Sequence, residues 1–109
     1  FFDFGCALGY WLEPDDPDYL KESLPIVTTE PGFLKRSDFI QRYAVKTGFD
    51  IPSLDFYVAF TYFKLAVALQ QIYYRWKVGQ TQDDRFAHFN QRVQNLMLSA
   101  YEIAETGKF

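Results

Sequence analysis

Apolar residues recur every three to four positions in four stretches of this chain, a spacing typical of α-helices that bury one face. The stretches run from Phe2 to Leu12, from Ser37 to Gly48, from Pro52 to Val78 and from Asp83 to Thr106. Turns rich in Pro, Gly and Asp separate them. The pattern therefore predicts an all-α fold of one domain, residues 1–109, with about four helices around a long apolar central helix.

The first predicted helix carries an apolar face and two glycines that lie one turn apart. Phe4, Leu8 and Trp11 form the face. Gly5 and Gly9 each weaken a helix by about 1 kcal/mol relative to Ala. We expect these glycines to let the backbone of another element approach closely.

The segment between the first two long helices is expected to be irregular. It opens with an acidic, proline-broken loop at residues 13–18, whose charges are expected to lie in solvent. Pro25, Pro31 and Gly32 then prevent a long element over residues 19–36. The apolar side chains expected to attach this segment to the core are Tyr19, Leu20, Leu24, Ile26 and Phe33.

Ordinary capping residues mark the ends of the next helices. Ser37 is the expected N-cap of the second helix, because its hydroxyl can accept hydrogen bonds from free N–H groups of the first turn. Gly48 is expected to end that helix in a left-handed conformation, with Lys46 near the negative end. Thr81 or Asp83 is expected to cap the fourth helix.

The third predicted helix is apolar over nearly its whole circumference. Pro52 suits its first position, and its length is roughly 40 Å. Its polar residues form a narrow stripe of Thr61, Lys64, Gln71 and Arg75. Such a helix is buried among others or inserted in a membrane. Because Lys64 in its middle would cost about 3 kcal/mol in a membrane, we expect a buried helix and no membrane partner.

Composition excludes several classes of function. The net charge of −3 and the scattered Lys and Arg residues argue against a nucleic-acid partner. The single cysteine, Cys6, cannot form an internal disulfide, so we expect a reducing compartment and a cytoplasmic protein. The single histidine, His88, lies far from Cys6 in the sequence, which leaves no basis for a metal site.

The beginning of the chain suggests a longer parent protein. The first residue is Phe1 instead of Met, and the apolar opening lacks the basic segment of a signal peptide. We therefore expect a fragment or a processed product. Catalytic groups upstream of Phe1 would then be missing from these residues.

One tripeptide matches a known catalytic motif, but the rest of that motif's signature is missing. Asp3, Phe4 and Gly5 spell the sequence with which protein kinases hold magnesium at ATP. The Gly-rich loop, the strand lysine and the His-Arg-Asp loop of that signature are absent from the sequence. The neighbouring carboxylates Asp15 and Asp16 lack a predicted buried environment, which acid–base work requires. The residues by themselves predict a helical domain without a self-sufficient active site.

An ordered set of short motifs resembles the aminoglycoside phosphotransferase family, in the branch that also occurs fused to acyl-CoA dehydrogenases. The set covers almost the whole chain and is weakest over residues 18–36 and the last helix. It consists of Asp3-Phe4-Gly5 with Leu8-Gly9-Tyr10-Trp11, Arg42-Tyr43 with Thr47-Gly48, Leu54-Asp55-Phe56-Tyr57, Phe63-Lys64-Leu65-Ala66, and Ile72-Tyr73-Tyr74-Arg75 with Gly79. The family has Leu at the position of Phe4.

The resemblance implies the C-terminal helical half of a kinase-like C-lobe, from an enzyme that uses ATP and Mg²⁺ to phosphorylate a small-molecule hydroxyl. Asp3 matches the family's structural aspartate, which supports the catalytic loop, and the catalytic and metal-binding residues would precede Phe1. The fragment itself is expected to bind neither cofactor nor metal and to be inactive. Candidates for one wall of the acceptor site are Lys64, Gln71, Tyr73 and Arg75.

Two other classes of function stay open from the sequence. Exposed aromatic faces would suit a helical protein-interaction module, and an aromatic interior would suit a carrier of apolar ligands. Apolar surface left uncovered in a truncated C-lobe also predicts self-association of the fragment. The acceptor remains open among aminoglycoside, choline-like, sugar and acyl-CoA-linked hydroxyl compounds.

Overall fold

A computed structural model of the chain describes residues 1–24 and 27–109. Over these residues the fold is all-α, which confirms the predicted class, and they contain no β-strand. The described α-helices are α1 (Phe2–Tyr10), α2 (Asp18–Ser23), α3 (Arg36–Thr47), α4 (Asp55–Lys77) and α5 (Phe89–Thr106), with a 3-10 helix at Asp84–His88 before α5.

The long helices α4 and α5 form an antiparallel pair that carries the rest of the fold. Gly107, just after α5, lies beside Asp55 at the start of α4. The largest fully buried side chains belong to α4, α5, α1 and the turn after α1, and they are Val58, Tyr62, Leu96, Leu8 and Leu12. The core therefore lies where α1 crosses the pair.

Two glycines hold α1 against α4, as the sequence predicted. A Cβ atom on Gly5 would lie 2.5 Å from Cβ of Tyr57, and one on Gly9 would lie 3.0 Å from Cγ2 of Thr61. Both separations are shorter than an ordinary contact between carbon atoms. The Tyr62 hydroxyl donates to the Gly9 carbonyl at 2.7 Å, so the same contact surface also carries a buried hydrogen bond.

Aromatic rings attach α3 to α1. The ring of Phe4 stacks on Tyr43 with 4.1 Å between centroids, and Trp11 meets Phe39 edge to face at 4.9 Å. Such pairs add about 0.5–1.5 kcal/mol beyond the area they bury. Gly48 then ends α3 with φ at +70°, which confirms the predicted left-handed position.

Two predicted helix starts were wrong, and the predicted cap at Asp83 was correct for a 3-10 helix that precedes α5. Helix α3 begins at Arg36 after Lys35 and has no side-chain cap, so Ser37 is a helical residue. Helix α4 begins at Asp55, three residues after Pro52. The fourth predicted helix is divided into the 3-10 helix and α5, and Asp83 caps the 3-10 helix by accepting from the Arg85 N–H at 3.0 Å.

The segment between α1 and α3 is more ordered than predicted. Residues Asp18–Ser23 form α2, which packs against α5. Leu20 and Leu24 are buried, and Tyr19 is half-buried, whereas Phe33 is exposed and lies edge to face with Trp11. The expectation for Ile26 falls outside the described residues.

Helix α4 is not buried all round, contrary to its apolar sequence. Val58, Tyr62 and Ala66 are inside the core, but Phe56 and Phe63 on the other side are 60% and 48% exposed. The cause is that α1 and α5 cover only one side of α4. Within the described residues, no helix has the length and apolar character needed to cross a membrane.

Candidate functional site

A buried ion cluster joins the acidic loop to the start of α3. Arg36 is 6% exposed, and its guanidinium donates to both carboxylate oxygens of Asp16, at 2.8 and 2.7 Å. It also donates to the Trp11 carbonyl at 3.1 Å, and its Nε lies 3.3 Å from Glu13 Oε1. A bidentate pair of this kind fixes both distance and direction. The acidic loop was predicted to be solvated, and that expectation was wrong for Glu13 and Asp16.

Glu13 serves the N-terminus of α3 in place of a local cap. Its Oε1 accepts the backbone N–H of Arg36 at 3.0 Å, and Asp16 Oδ2 accepts the backbone N–H of Glu13 at 2.7 Å. A carboxylate at this position satisfies a free N–H and interacts favourably with the helix dipole. This distant cap explains why Ser37 is not used as one.

The cluster borders an open cavity of about 590 Å³ between α2, the acidic loop and the end of α5. Leu20, Ile103 and the Tyr62 ring supply apolar wall, and Ser99, Glu102 and Lys108 supply polar groups. The Phe109 ring lies with its centroid 5.8 Å from Cζ of Arg36. A cavity of this size is in the range that holds a small molecule.

Two tyrosines beside this cavity have raised pKa values. Burial raises the pKa of the Tyr62 phenol, so this hydroxyl stays protonated and continues to donate to Gly9. Burial, followed by the hydrogen bond to Glu102, raises the pKa of Tyr19 as well. Both carboxylate oxygens of Asp16 accept hydrogen bonds from Arg36, so this carboxylate is held in the ion pair.

Sequence reasoning missed this cluster, although one signal was present. Arg36 is the first residue of α3, where a positive charge is unfavourable for the helix dipole. A basic residue at a helix N-terminus therefore calls for an acidic partner from elsewhere. The acidic run at residues 13–18 was the obvious source.

A smaller groove of about 200 Å³ between α1 and α4 brings together two of the predicted site residues, Asp3 and Lys64. Cys6, Tyr10 and Phe60 also line it. Both predicted residues are exposed, and neither forms a hydrogen bond or ion pair with the described part of the chain. Their carboxylate and ammonium groups are therefore available to another surface.

The other predicted wall residues lie farther along α4. Gln71 and Arg75 are exposed, one turn apart, and continue the stripe that contains Lys64. Tyr73 is half-buried on another side of the helix and stacks on Trp76 with 6.0 Å between centroids. Thr61, predicted in the same polar stripe, is buried and donates to the Tyr57 carbonyl at 2.9 Å.

The described residues around Asp3 do not suit a magnesium ion. Mg²⁺ prefers six oxygen ligands, usually with carboxylates and phosphates among them. Asp3 is a single carboxylate, and the groove it lines also contains the Lys64 ammonium group. The described residues contain no group of three or more His, Cys, Asp or Glu side chains that could hold a metal ion.

Comparison with known proteins leaves the chain without an established family. No protein-family model matches the sequence, and searches of the curated proteins and of the solved structures find no match either.

Proposed function

We propose that this chain is the helical C-terminal portion of a small-molecule phosphotransferase with a kinase-like fold. The full-length enzyme would transfer the γ-phosphoryl group of ATP to a hydroxyl of a small molecule, with Mg²⁺ bound by residues outside this chain. The proposal rests on the motif resemblance and on the setting of Asp3. The lone cysteine is compatible with a cytoplasmic enzyme.

The observation that carries the proposal is an exposed carboxylate on a firmly seated helix. Asp3 lies in the first turn of α1 without a partner in the described residues. Two turns of α1 are locked against α4 through Gly5 and Gly9. A carboxylate held in this way can accept hydrogen bonds from the backbone of a separate loop and fix its position.

In this proposal Asp3 is a positioning residue and not a catalytic one. Phosphoryl transfer depends mainly on the placement of the reacting groups and on charge neutralisation. A loop that carries the catalytic aspartate would lie on the groove beside Lys64 and take its orientation from Asp3. The stripe of Lys64, Gln71 and Arg75 would face the acceptor, since all three side chains are exposed.

Asp3→Asn in the gene product that contains this chain tests the proposal. Transfer from ATP is measured against a panel of hydroxyl compounds, and we expect kcat to fall roughly 10- to 100-fold with KM for ATP unchanged. The matched control is Asp38→Asn, because Asp38 is also exposed in the first turn of a helix. The Asp38→Asn variant should lose the same small contribution of the helix dipole to stability and should keep the full kcat.

Two results would overturn the proposal. One is an Asp3→Asn enzyme with the kcat of the control. The other is phosphoryl transfer by the 109-residue chain alone, since the catalytic groups are assigned to residues outside it.

A further inference from the structure

The exposed side of α4 carries a line of apolar side chains that is interrupted once, at Gln70. Its members, which we call the seam, are Phe56, Phe60, Phe63, Val67 and Tyr74, with exposed fractions of 60%, 41%, 48%, 39% and 61%. Their spacing of four, three, four and seven residues follows the heptad pattern of helices that pack along one another. Between Val67 and Tyr74 the heptad position is occupied by Gln70.

The seam lies opposite the core side of the helix and is long. Val58 and Tyr62, which face the core, are buried to 0% and 1% exposure. From Phe56 to Tyr74 the seam extends about 27 Å at 1.5 Å per residue. A helical partner of similar length can therefore lie along it.

A groove runs beside the seam, between α4 and α5. Its volume is about 420 Å³, and its lining contains no charged or hydrogen-bonding side chain except Tyr101. Ala59, Ala100 and Ala104 make it shallow and smooth, while Phe60 and Phe63 stand at its α4 edge. The same face thus carries projecting aromatic rings and, beside them, a groove that is lined by small residues and has room for aromatic rings.

A two-fold pairing of identical faces needs this self-complementarity, because each contact between two positions occurs twice. The aromatic rings of each copy would enter the groove of the other copy. The absence of charged groups from the groove lining also removes like-charge repulsion across the axis.

The area is sufficient for a dimer. Five aromatic side chains at this face, Phe2, Phe56, Phe60, Phe63 and Tyr101, are 41–64% exposed. At about 150–250 Å² for each aromatic side chain, their exposed parts and Met97 give about 600 Å² per copy. Two copies would bury about 1,200 Å², the lower end of specific interfaces.

We propose that the seam and its groove form a two-fold dimer interface with a second copy of this chain. Phe60 and Phe63 of each copy insert into the groove floored by Ala100 of the other. The dimer face meets the groove of Asp3 and Lys64 at Phe60, which lines both grooves. The variants that test the dimer are therefore placed at Phe63 and Val67, which do not line the groove of Asp3.

Light scattering after gel filtration tests the dimer. We expect the measured mass to rise with concentration and to level off at twice the 12.8 kDa mass of the chain. Phe63→Glu should raise the dimer Kd at least 100-fold, because Phe63 is half exposed and its charged replacement would enter the apolar groove. Val67→Glu is a second variant on the same seam and should act in the same direction.

The matched control is Phe49→Glu. Phe49 is 57% exposed but lies after α3, away from the seam, so this variant should remain a dimer. Helical circular dichroism of the monomeric variants should match that of the control, and their thermal midpoint, unlike that of the dimeric control, should not rise with concentration. Three results would each overturn the proposal. They are a wild-type chain that stays a monomer at about 100 μM, assembly that continues beyond the dimer, and equal effects of Phe63→Glu and Phe49→Glu. The full gene product is measured in parallel. If it stayed a monomer while the 109-residue chain formed a dimer, other residues of the same polypeptide would cover the seam, and this result would also overturn the proposal.

Discussion

The guanidinium group of Arg36 binds both carboxylate oxygens of Asp16, and the two side chains are only 7% and 10% exposed. The residues are twenty positions apart, and their pair fixes the acidic loop against the first turn of α3. The loop in turn forms one wall of the 590 Å³ cavity. An element that looks like a solvated turn is therefore part of the interior.

Asp16→Asn should destabilise the fold by about 2–3 kcal/mol, because it leaves the buried Arg36 charge without its main partner. Urea denaturation measures the loss. The control is Asp15→Asn, which removes the same charge from an exposed neighbour and should change stability by less than about 0.5 kcal/mol. Equal effects of the two variants would show that the cluster contributes no more than a surface ion pair.

Gly5→Ala should lower stability by about 2 kcal/mol, although Ala is the better helix former. The new Cβ would lie 2.5 Å from Cβ of Tyr57 and 3.0 Å from its backbone carbon, so α1 and α4 must separate. Ala7→Gly at an exposed position of α1 is the control and should cost only the helix-propensity difference, at most about 1 kcal/mol. A stabilised Gly5→Ala protein would mean that α1 does not pack at this distance.

Alkaline pH should destabilise the protein partly through Tyr62. Burial raises the pKa of this phenol above its usual value of 10.0 in the folded chain. Above pH 10 the unfolded chain therefore binds fewer protons, and stability falls as pH rises, by up to about 1.4 kcal/mol per pH unit. Denaturation curves at pH 9, 10 and 11 measure this slope.

Tyr62→Phe removes the ionising group and should flatten the slope above pH 10. At pH 7 the variant should be less stable by about 1 kcal/mol, because the Gly9 carbonyl loses its donor. The exposed Tyr74 provides the control, and Tyr74→Phe should leave both quantities unchanged. An unaltered alkaline slope in Tyr62→Phe would assign the pH dependence to other groups.

Periodicity located the long helices well because it reflects local geometry. Both ends of α4 were predicted to within three residues, and the left-handed glycine after α3 was predicted correctly. The start of α3 was not predicted correctly, because the residue that caps it, Glu13, is far away in the sequence. Capping rules read neighbouring residues and cannot detect such a partner.

The side of α4 that would be buried was not available from its sequence. Val58 and Phe56 are both apolar, and the polar stripe around Lys64 is too narrow to decide which of the remaining sides faces solvent. Contact of Gly5 with Tyr57 and the antiparallel return of α5 choose the buried side. The sequence also could not tell which of the predicted site residues lie together. Asp3 and Lys64 share a groove, whereas Tyr73 does not lie with them.

The sequence by itself determined that the protein is helical, where its long helices lie, and that Gly5 and Gly9 permit a close contact, because these follow from the conformational preferences of neighbouring residues. Only the tertiary structure decided that Arg36 is buried on Asp16 and that the seam of α4 is exposed. Both depend on distant segments meeting. The free energy of burying a charge or leaving an apolar side chain in water is set by those neighbours in space.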